Sequence, residues 1–245
     1  MEIGGLGISV WALACIALAA GVGAALQSSV GFGMNLLLVP VLALVHPEAL
    51  PATAVLLGVP ISLTMVRHEH HAIDRRGLVW ILAGRVPGTV FGVWIVATAS
   101  LAALKGVIGV SVLIAVAASL VAPPLRLTPG RLFAGGAASG TTGTAAGIGG
   151  PPLALLYQHH PGPTMRATLA ASFAFGTILS TAMLALAGEV GWADCGLAAC
   201  LVPLVVGGSV AGRRAHQALE HRWLRPAVLG FAAVSAVVVL VEAAT

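Results

Sequence analysis

The sequence has few charged residues. Asp, Glu, Lys and Arg together supply 8% of its 245 residues, against about 25% in a typical soluble domain. Hydrophobic residues supply 58%, and the mean hydropathy is +1.01. A chain of this composition cannot cover itself with a hydrated surface, which excludes an ordinary soluble domain. Because one crossing of a bilayer takes about 20 apolar residues, the long uncharged stretches, such as 3–47 and 132–165, predict a membrane protein with several crossings.

The sequence also lacks the motifs of enzymes and of cofactor- or metal-binding proteins. The sequence has no phosphate-binding loop and no nucleophile beside a base, so we predict that the protein is not an enzyme. The three cysteines form no paired framework, and we expect no cofactor. The histidines of residues 67–71 (RHEHH) lack the spacing of a metal-binding helix, so we interpret this run as a solvated cytoplasmic loop without a metal site. The basic residues lie between hydrophobic segments, which favours the lipid bilayer over nucleic acid as the partner.

A glycine motif occurs twice. Residues 31–35 (GFGMN) lie in the first half, and residues 147–151 (GIGGP) follow about 116 positions later. Each motif lies in an apolar stretch and precedes an Ala-Thr pair, at 52–53 and 167–168. Duplicated hydrophobic segments interrupted by glycine or proline indicate the binding site of a secondary transporter. We therefore predict two repeats of one transmembrane domain, residues 1–122 and 123–245.

The distribution of Lys and Arg predicts that the repeats have opposite orientations, since these residues accumulate in cytoplasmic loops. Residues 67–76 are rich in arginine, whereas the equivalent residues 188–194 contain two acids and no cation. The next loop reverses this pattern, with one cation in 100–105 and four in 213–225. The charges therefore favour an inverted-topology repeat with both termini outside. A parallel duplication is the alternative.

We predict an all-helical polytopic membrane protein with about five hydrophobic segments in each repeat. The segments are placed at 8–29, 33–46, 50–66, 78–98 and 103–121 in the first repeat, and at 132–146, 152–160, 167–187, 192–212 and 224–242 in the second. Residues 132–146 would form a helix only about 22 Å long, short of the roughly 30 Å of hydrocarbon. We therefore expect re-entrant or broken helices at the glycine motifs.

The candidate binding residues are one arginine and the polar or glycine residues around the two motifs. Arg85 is the only formal charge more than two residues from the end of a predicted segment, and no acid in a hydrophobic core can pair with it, which suits a transported anion. Snorkelling toward the headgroups is the alternative for this side chain. Backbone amides exposed at a helix break attract anions, although glycines also permit close helix packing. The further substrate-binding candidates are Gln27, Ser28, Gly31, Gly33, Asn35, Thr144, Gly147, Gly149, Gly150 and Pro151.

The chain resembles the sulfite exporter TauE/SafE family. The resemblance is carried by the two glycine-broken segments, by the accompanying Val39-Pro40 and Pro151-Pro152, by the Ala-Thr pairs and by the twofold architecture, and it covers roughly residues 10–242. It implies a multi-pass transporter of the bacterial cytoplasmic membrane. Its substrates would be small sulfur-containing or organic anions, such as sulfite, sulfonates or related carboxylates.

We accordingly predict a secondary transporter that moves a small anion through a site where the two motifs meet. An anion channel, a metal-cation permease and a noncatalytic membrane subunit of a larger complex are the alternatives, and homo-oligomerisation is left open.

Overall fold

The computed structural model describes residues 2–3, 8–121, 125–214, 230, 233–234, 236–241 and 243. The helices are α1 (Val10–Val30), α2 (Met34–Val45), α3 (Ala52–Glu69), α4 (Arg75–Thr98), α5 (Leu101–Val121), α6 (Pro129–Ala145), α7 (Gly150–Tyr157), α8 (Gly162–Leu186) and α9 (Trp192–Arg214). Short 3-10 turns cover Pro47–Ala49 and His70–Ala72. Strands β1 (Glu2–Ile3) and β2 (Ile8–Ser9) pair antiparallel before α1.

The structure confirms the helical prediction for the first nine segments. By length and composition, α1, α4, α8 and α9 can each cross a membrane. The tenth predicted segment, 224–242, lies mostly outside the described residues, and those described within it are helical. The run 67–71 is not the loop we expected, because α3 continues to Glu69 and a 3-10 turn follows. The carboxylate of Glu69 accepts a hydrogen bond from Arg166 Nε at 3.0 Å, a contact that ties the end of α3 to α8.

Glycine backbone conformation explains why the chain leaves the helix at both motifs. Gly31 caps α1 with φ of 106°, and Gly33 precedes α2 with φ of 134°. Gly147, between α6 and α7, has φ of 69°. Residues with a Cβ rarely adopt these angles. The motifs therefore mark real breaks, between α1 and α2 and between α6 and α7.

Small residues bring two pairs of helices into close contact. A Cβ added to Gly84 or Gly88 of α4 would overlap the backbone of α6 at Phe133 or Ala137, and one added to Gly92 would lie 2.8 Å from the Thr141 oxygen. The order of these contacts shows that α4 and α6 run in the same direction. Backbones that approach this closely allow dispersion and hydrogen bonding to stabilise helix pairs in lipid.

Helices α1 and α9 form the second pair. A Cβ at Gly208 would overlap Gly21, and one at Gly212 would overlap Ala25, so these two helices also run in parallel. Ser28 Oγ donates to Ser209 Oγ at 2.7 Å across the same contact. The first helix of each predicted repeat thus packs on the fourth helix of the other repeat.

Contacts at the helix ends fix the relative directions of the remaining elements. Arg166, near the start of α8, packs over Gly31 at the end of α1, where an added Cβ would lie 3.1 Å from Arg166 Cγ. The Asp74 amide, at the start of α4, donates to Thr168 Oγ1 at 3.0 Å. Helix α1 therefore ends on the side where α4, α6 and α8 begin. Consequently α1 and α6 run in opposite directions.

Most of the buried apolar residues belong to two main clusters. One cluster joins α1, α2, α3, α5 and α9 through residues such as Ile16, Leu42 and Leu201. The other joins α4, α6, α7 and α8 through residues such as Ile81 and Leu153. Each cluster contains the broken pair of one repeat and the fourth helix of the other. Ile148 of the second break belongs to the first cluster, and Phe32 of the first break packs against both clusters, so the breaks lie where the two clusters adjoin.

We expect Gly88→Ala to lower the melting temperature of the purified protein in detergent. The added Cβ would overlap the Ala137 carbonyl, and overpacking of this kind costs about 1–3 kcal/mol. Gly106→Ala on α5 is the matched control, because a Cβ there meets nothing within 4 Å and alanine is the better helix former. The melting temperature of each variant is measured by size-exclusion chromatography after heating. Equal melting temperatures would contradict the α4–α6 packing.

Candidate functional site

The two glycine breaks line one interior cavity. Its volume is about 50 Å³, and its walls come from α1, α2, α3, α4, α6, α7 and α8 together with both breaks. One water needs about 10–15 Å³ of such space, so the cavity has room for a solute of a few non-hydrogen atoms. Of the residues that line it, Arg85 carries the only formal charge.

A side chain of the first break bonds directly to the backbone of the second. Asn35 Nδ2 donates to the Gly147 carbonyl at 2.6 Å and lies 3.3 Å from the Ala54 carbonyl. Phe32 packs on Gly150, where an added Cβ would lie 3.0 Å from Phe32 Cβ. Gln27 stabilises the first break by accepting a hydrogen bond from the Met34 amide at 3.1 Å. The two motifs thus form one structural unit, although they lie far apart in the sequence.

Arg85 projects from α4 into the protein interior. Its side chain is 2% exposed. Nη1 donates to Ser139 Oγ of α6 at 3.2 Å and to Ser172 Oγ of α8 at 3.1 Å. Nε is buried and has no partner. No described Asp or Glu forms an ion pair with this guanidinium. Because the side chain is enclosed by helices, it does not snorkel to a surface.

Three neighbouring residues accommodate the guanidinium: Ser139, Phe173 and Gly176. Ser139 accepts from Arg85 and donates to the Gly149 carbonyl at 2.5 Å, which connects the arginine to the second break. The ring of Phe173 has its centroid 5.6 Å from Arg85 Cζ, close enough for a cation–π contact. A Cβ on Gly176 would overlap the guanidinium, so glycine at this position creates the space that the arginine occupies.

The structure brings most of the predicted site residues together at this cavity. Those that line it are Gln27, Gly33, Asn35, Arg85, Gly147, Gly149, Gly150 and Pro151. Three others lie beside it. Gly31 packs against Arg166, Ser28 bonds to Ser209, and Thr144 Oγ1 lies 2.7 Å from Ser180 Oγ, whose residue does line the cavity.

The sequence analysis did not connect Arg85 with any of the residues that hold its guanidinium. Ser139 and Ser172 are its hydrogen-bond partners, and Phe173 and Gly176 complete its surroundings. The spacing of Ser172 and Gly176, four residues apart on α8, places them on one helix face. That spacing is the one signal for these surroundings in the sequence, and it does not indicate which helix the face of α8 contacts.

The carboxylates near the helix ends have other partners. Glu69 pairs with Arg166, whose side chain is 16% exposed. Asp74 caps α4 by accepting from the Gly77 amide at 3.0 Å, and it also accepts from the Tyr157 hydroxyl at 2.8 Å. Among the described residues, no group of three or more His, Cys, Asp and Glu side chains is arranged to hold a metal ion.

Comparison with known proteins identifies a family. The model of a family described as Sulfite exporter TauE/SafE matches residues 15–239, which is nearly the whole chain. No curated protein and no solved structure matches the chain significantly.

We expect Gly176→Ala to destabilise the protein by displacing the guanidinium of Arg85, and we expect the effect to disappear when Arg85 is also replaced by alanine. Residues in direct contact are coupled by about 0.5–3 kcal/mol in a double-mutant cycle. Melting temperatures of the two single variants and the double variant measure the coupling. Gly207→Ala provides the control, since a Cβ there meets nothing within 4 Å. If Gly176→Ala and Arg85→Ala were additive, the assigned contact would be incorrect.

Proposed function

Because the chain belongs to the sulfite exporter TauE/SafE family, a family of membrane transporters, we propose that it is a secondary transporter of a small anion. Sulfite, small sulfonates and related organic anions are the substrate class. The anion binds in the cavity between the two glycine breaks, and Arg85 is its principal ligand.

The observation that carries this proposal is the buried charge of Arg85. A buried cation without a counter-ion costs several kcal/mol, because desolvation is not offset by attraction to an opposite charge. Serine hydroxyls satisfy Nη1 but bring no negative charge. An oxyanion in the cavity would supply that charge. The unpartnered Nε belongs to the guanidinium edge that, with Nη2, can hold two oxygens of one oxyanion.

The glycine breaks contribute backbone groups to the same cavity. Amides in the first turn of a helix have no partner within the helix and favour an anion. Pro151 and Pro152 have no N–H, so the amides of Gly149 and Gly150 are the available donors at the start of α7. This contribution is secondary to that of Arg85, because helix α7 is only 8 residues long.

The path of α6 and α7 supports a re-entrant hairpin. Helix α6 begins beside the start of α4, and α7 ends where Tyr157 bonds to Asp74, again at the start of α4. Both ends of the hairpin therefore lie on one side, and its turn carries the second motif. The opposite directions of α1 and α6 support inverted repeats over 1–122 and 123–245. A site between discontinuous segments of two inverted repeats suits alternating access by rocking of one repeat against the other.

The arginines support an orientation in the membrane. Those at the helix ends fall on the side where α4, α6 and α8 begin and where α3 and α9 end: Arg67, Arg75, Arg76, Arg131, Arg166, Arg213 and Arg214. Cytoplasmic ends of spans carry this excess of positive charge. We assign this side to the cytoplasm, and both termini to the outside.

We expect sulfite or a small sulfonate to raise the melting temperature of the protein in detergent. A ligand that binds only the folded state stabilises it by about 2.7 kcal/mol at one hundred times its Kd. The panel contains sulfite, thiosulfate, sulfoacetate, taurine, small carboxylates, nickel and cobalt. Arg85→Gln should abolish the shift. Arg75→Gln removes the same charge from the exposed start of α4, and this variant should retain the shift.

Two results would contradict the proposal. A shift with the metals alone would favour a cation permease. A shift with anions that is equal in wild type and in Arg85→Gln would show that the anion binds elsewhere.

A further inference from the structure

We propose that the anion is singly charged and carries its own hydrogen-bond donor, which Asn35 Oδ1 accepts. This inference rests on the anion transport proposed above and specifies the substrate class. It follows from the unpartnered polar atoms of the residues that line the cavity: Arg85 Nε can only donate, Asn35 Oδ1 can only accept, and the hydroxyl of Ser62 can do either.

The orientation of the Asn35 amide is fixed by its surroundings. Nδ2 donates to the Gly147 carbonyl at 2.6 Å and to the Ala54 carbonyl at 3.3 Å. A flipped amide would place Oδ1, which can only accept, against these two acceptors. Oδ1 must therefore occupy the other position, where it is buried and has no donor. Buried acceptors in native proteins are almost always paired, and a donor on the molecule that fills the cavity would satisfy this atom.

Arg85 places the opposite requirement on the same molecule. Its free Nε–H needs an acceptor, and its single positive charge is the only formal charge among the lining residues. One negative charge neutralises it, whereas a second would be buried without a partner. A small molecule with anionic oxygens at one end and an N–H or O–H at the other satisfies both residues.

These requirements divide small oxyanions into two groups. Hydrogen-bearing oxyanions and amino- or hydroxyl-substituted sulfonates present both functions. Alkylsulfonates and fully deprotonated oxyanions present acceptors only and leave Asn35 Oδ1 unpaired. Sites built to bond a substrate N–H or O–H discriminate strongly against analogues that lack it, because a buried polar group then remains unsatisfied.

Sulfamate and methanesulfonate test this inference as a matched pair. Both are singly charged and tetrahedral at neutral pH and nearly equal in size, but only sulfamate has N–H donors. We expect the Kd of sulfamate, from thermal-shift titration of the wild-type protein, to be at least about tenfold lower than that of methanesulfonate. Sulfate, a dianion with acceptors only, should bind more weakly than sulfamate.

Variants test whether Asn35 causes the difference between the Kd values of sulfamate and methanesulfonate. Asn35→Leu should bring the ratio of the two Kd values close to one. Thr64→Val is the control, because Thr64 Oγ1 bonds to the Pro60 carbonyl of its own helix at 2.7 Å and should keep the wild-type ratio. If Asn35→Leu does not fold, the wild-type ratio alone decides.

The outcomes separate this inference from the proposed function. Equal affinities, tighter binding of methanesulfonate or sulfate, or a failure of sulfamate to bind where sulfite binds would overturn the donor requirement and leave anion transport standing. Absence of binding by every anion, sulfite included, would contradict both proposals.

Discussion

The guanidinium of Arg85 is buried among α4, α6 and α8 without a carboxylate among the described residues, and the site is arranged around this charge. Two serines accept from one nitrogen, and Phe173 offers the face of its ring. None of these groups is negative. A site that solvates a cation but does not neutralise it is suited to a ligand that arrives with the missing charge and leaves again. A fixed carboxylate would compete with that ligand.

Small residues at the helix contacts make this arrangement possible. The glycines of α4 let α6 approach closely enough for Arg85 to reach Ser139, and Ser139 in turn bonds to the second glycine break. The breaks meet because Asn35 donates to the Gly147 carbonyl. The packing of α4 on α6, the backbone at the glycine breaks and the position of the Arg85 charge therefore depend on one another. Movement of one predicted repeat against the other would change all three together. Such coupling would serve the alternating access proposed above, because rocking of one repeat against the other would then change the whole site.

The sequence predicted the parts of the site that depend on local chemistry. Glycines at 31, 33 and 147 indicated helix breaks, and they occupy positive φ. Arg85 was indicated as an anion ligand because it lies in an apolar segment and no acid in a hydrophobic core can pair with it. The partners of these residues depend on the register between helices, which no local pattern encodes. The sequence showed two Ala-Thr pairs but not that Thr53 donates to Asp194, at the start of α9, or that Thr168 accepts from the amide of Asp74, at the start of α4. For the same reason, the ion pair between Glu69 and Arg166 could not be foreseen.

Counterflow in proteoliposomes tests most directly whether Arg85 is the ligand of a transported anion. Vesicles that contain the protein are loaded with unlabelled sulfite and diluted into labelled sulfite, and the label inside is followed with time. A carrier with Arg85 in its site produces a transient accumulation of label in wild type and in Arg75→Gln, and none in Arg85→Gln. Accumulation in Arg85→Gln equal to that in wild type would contradict the account.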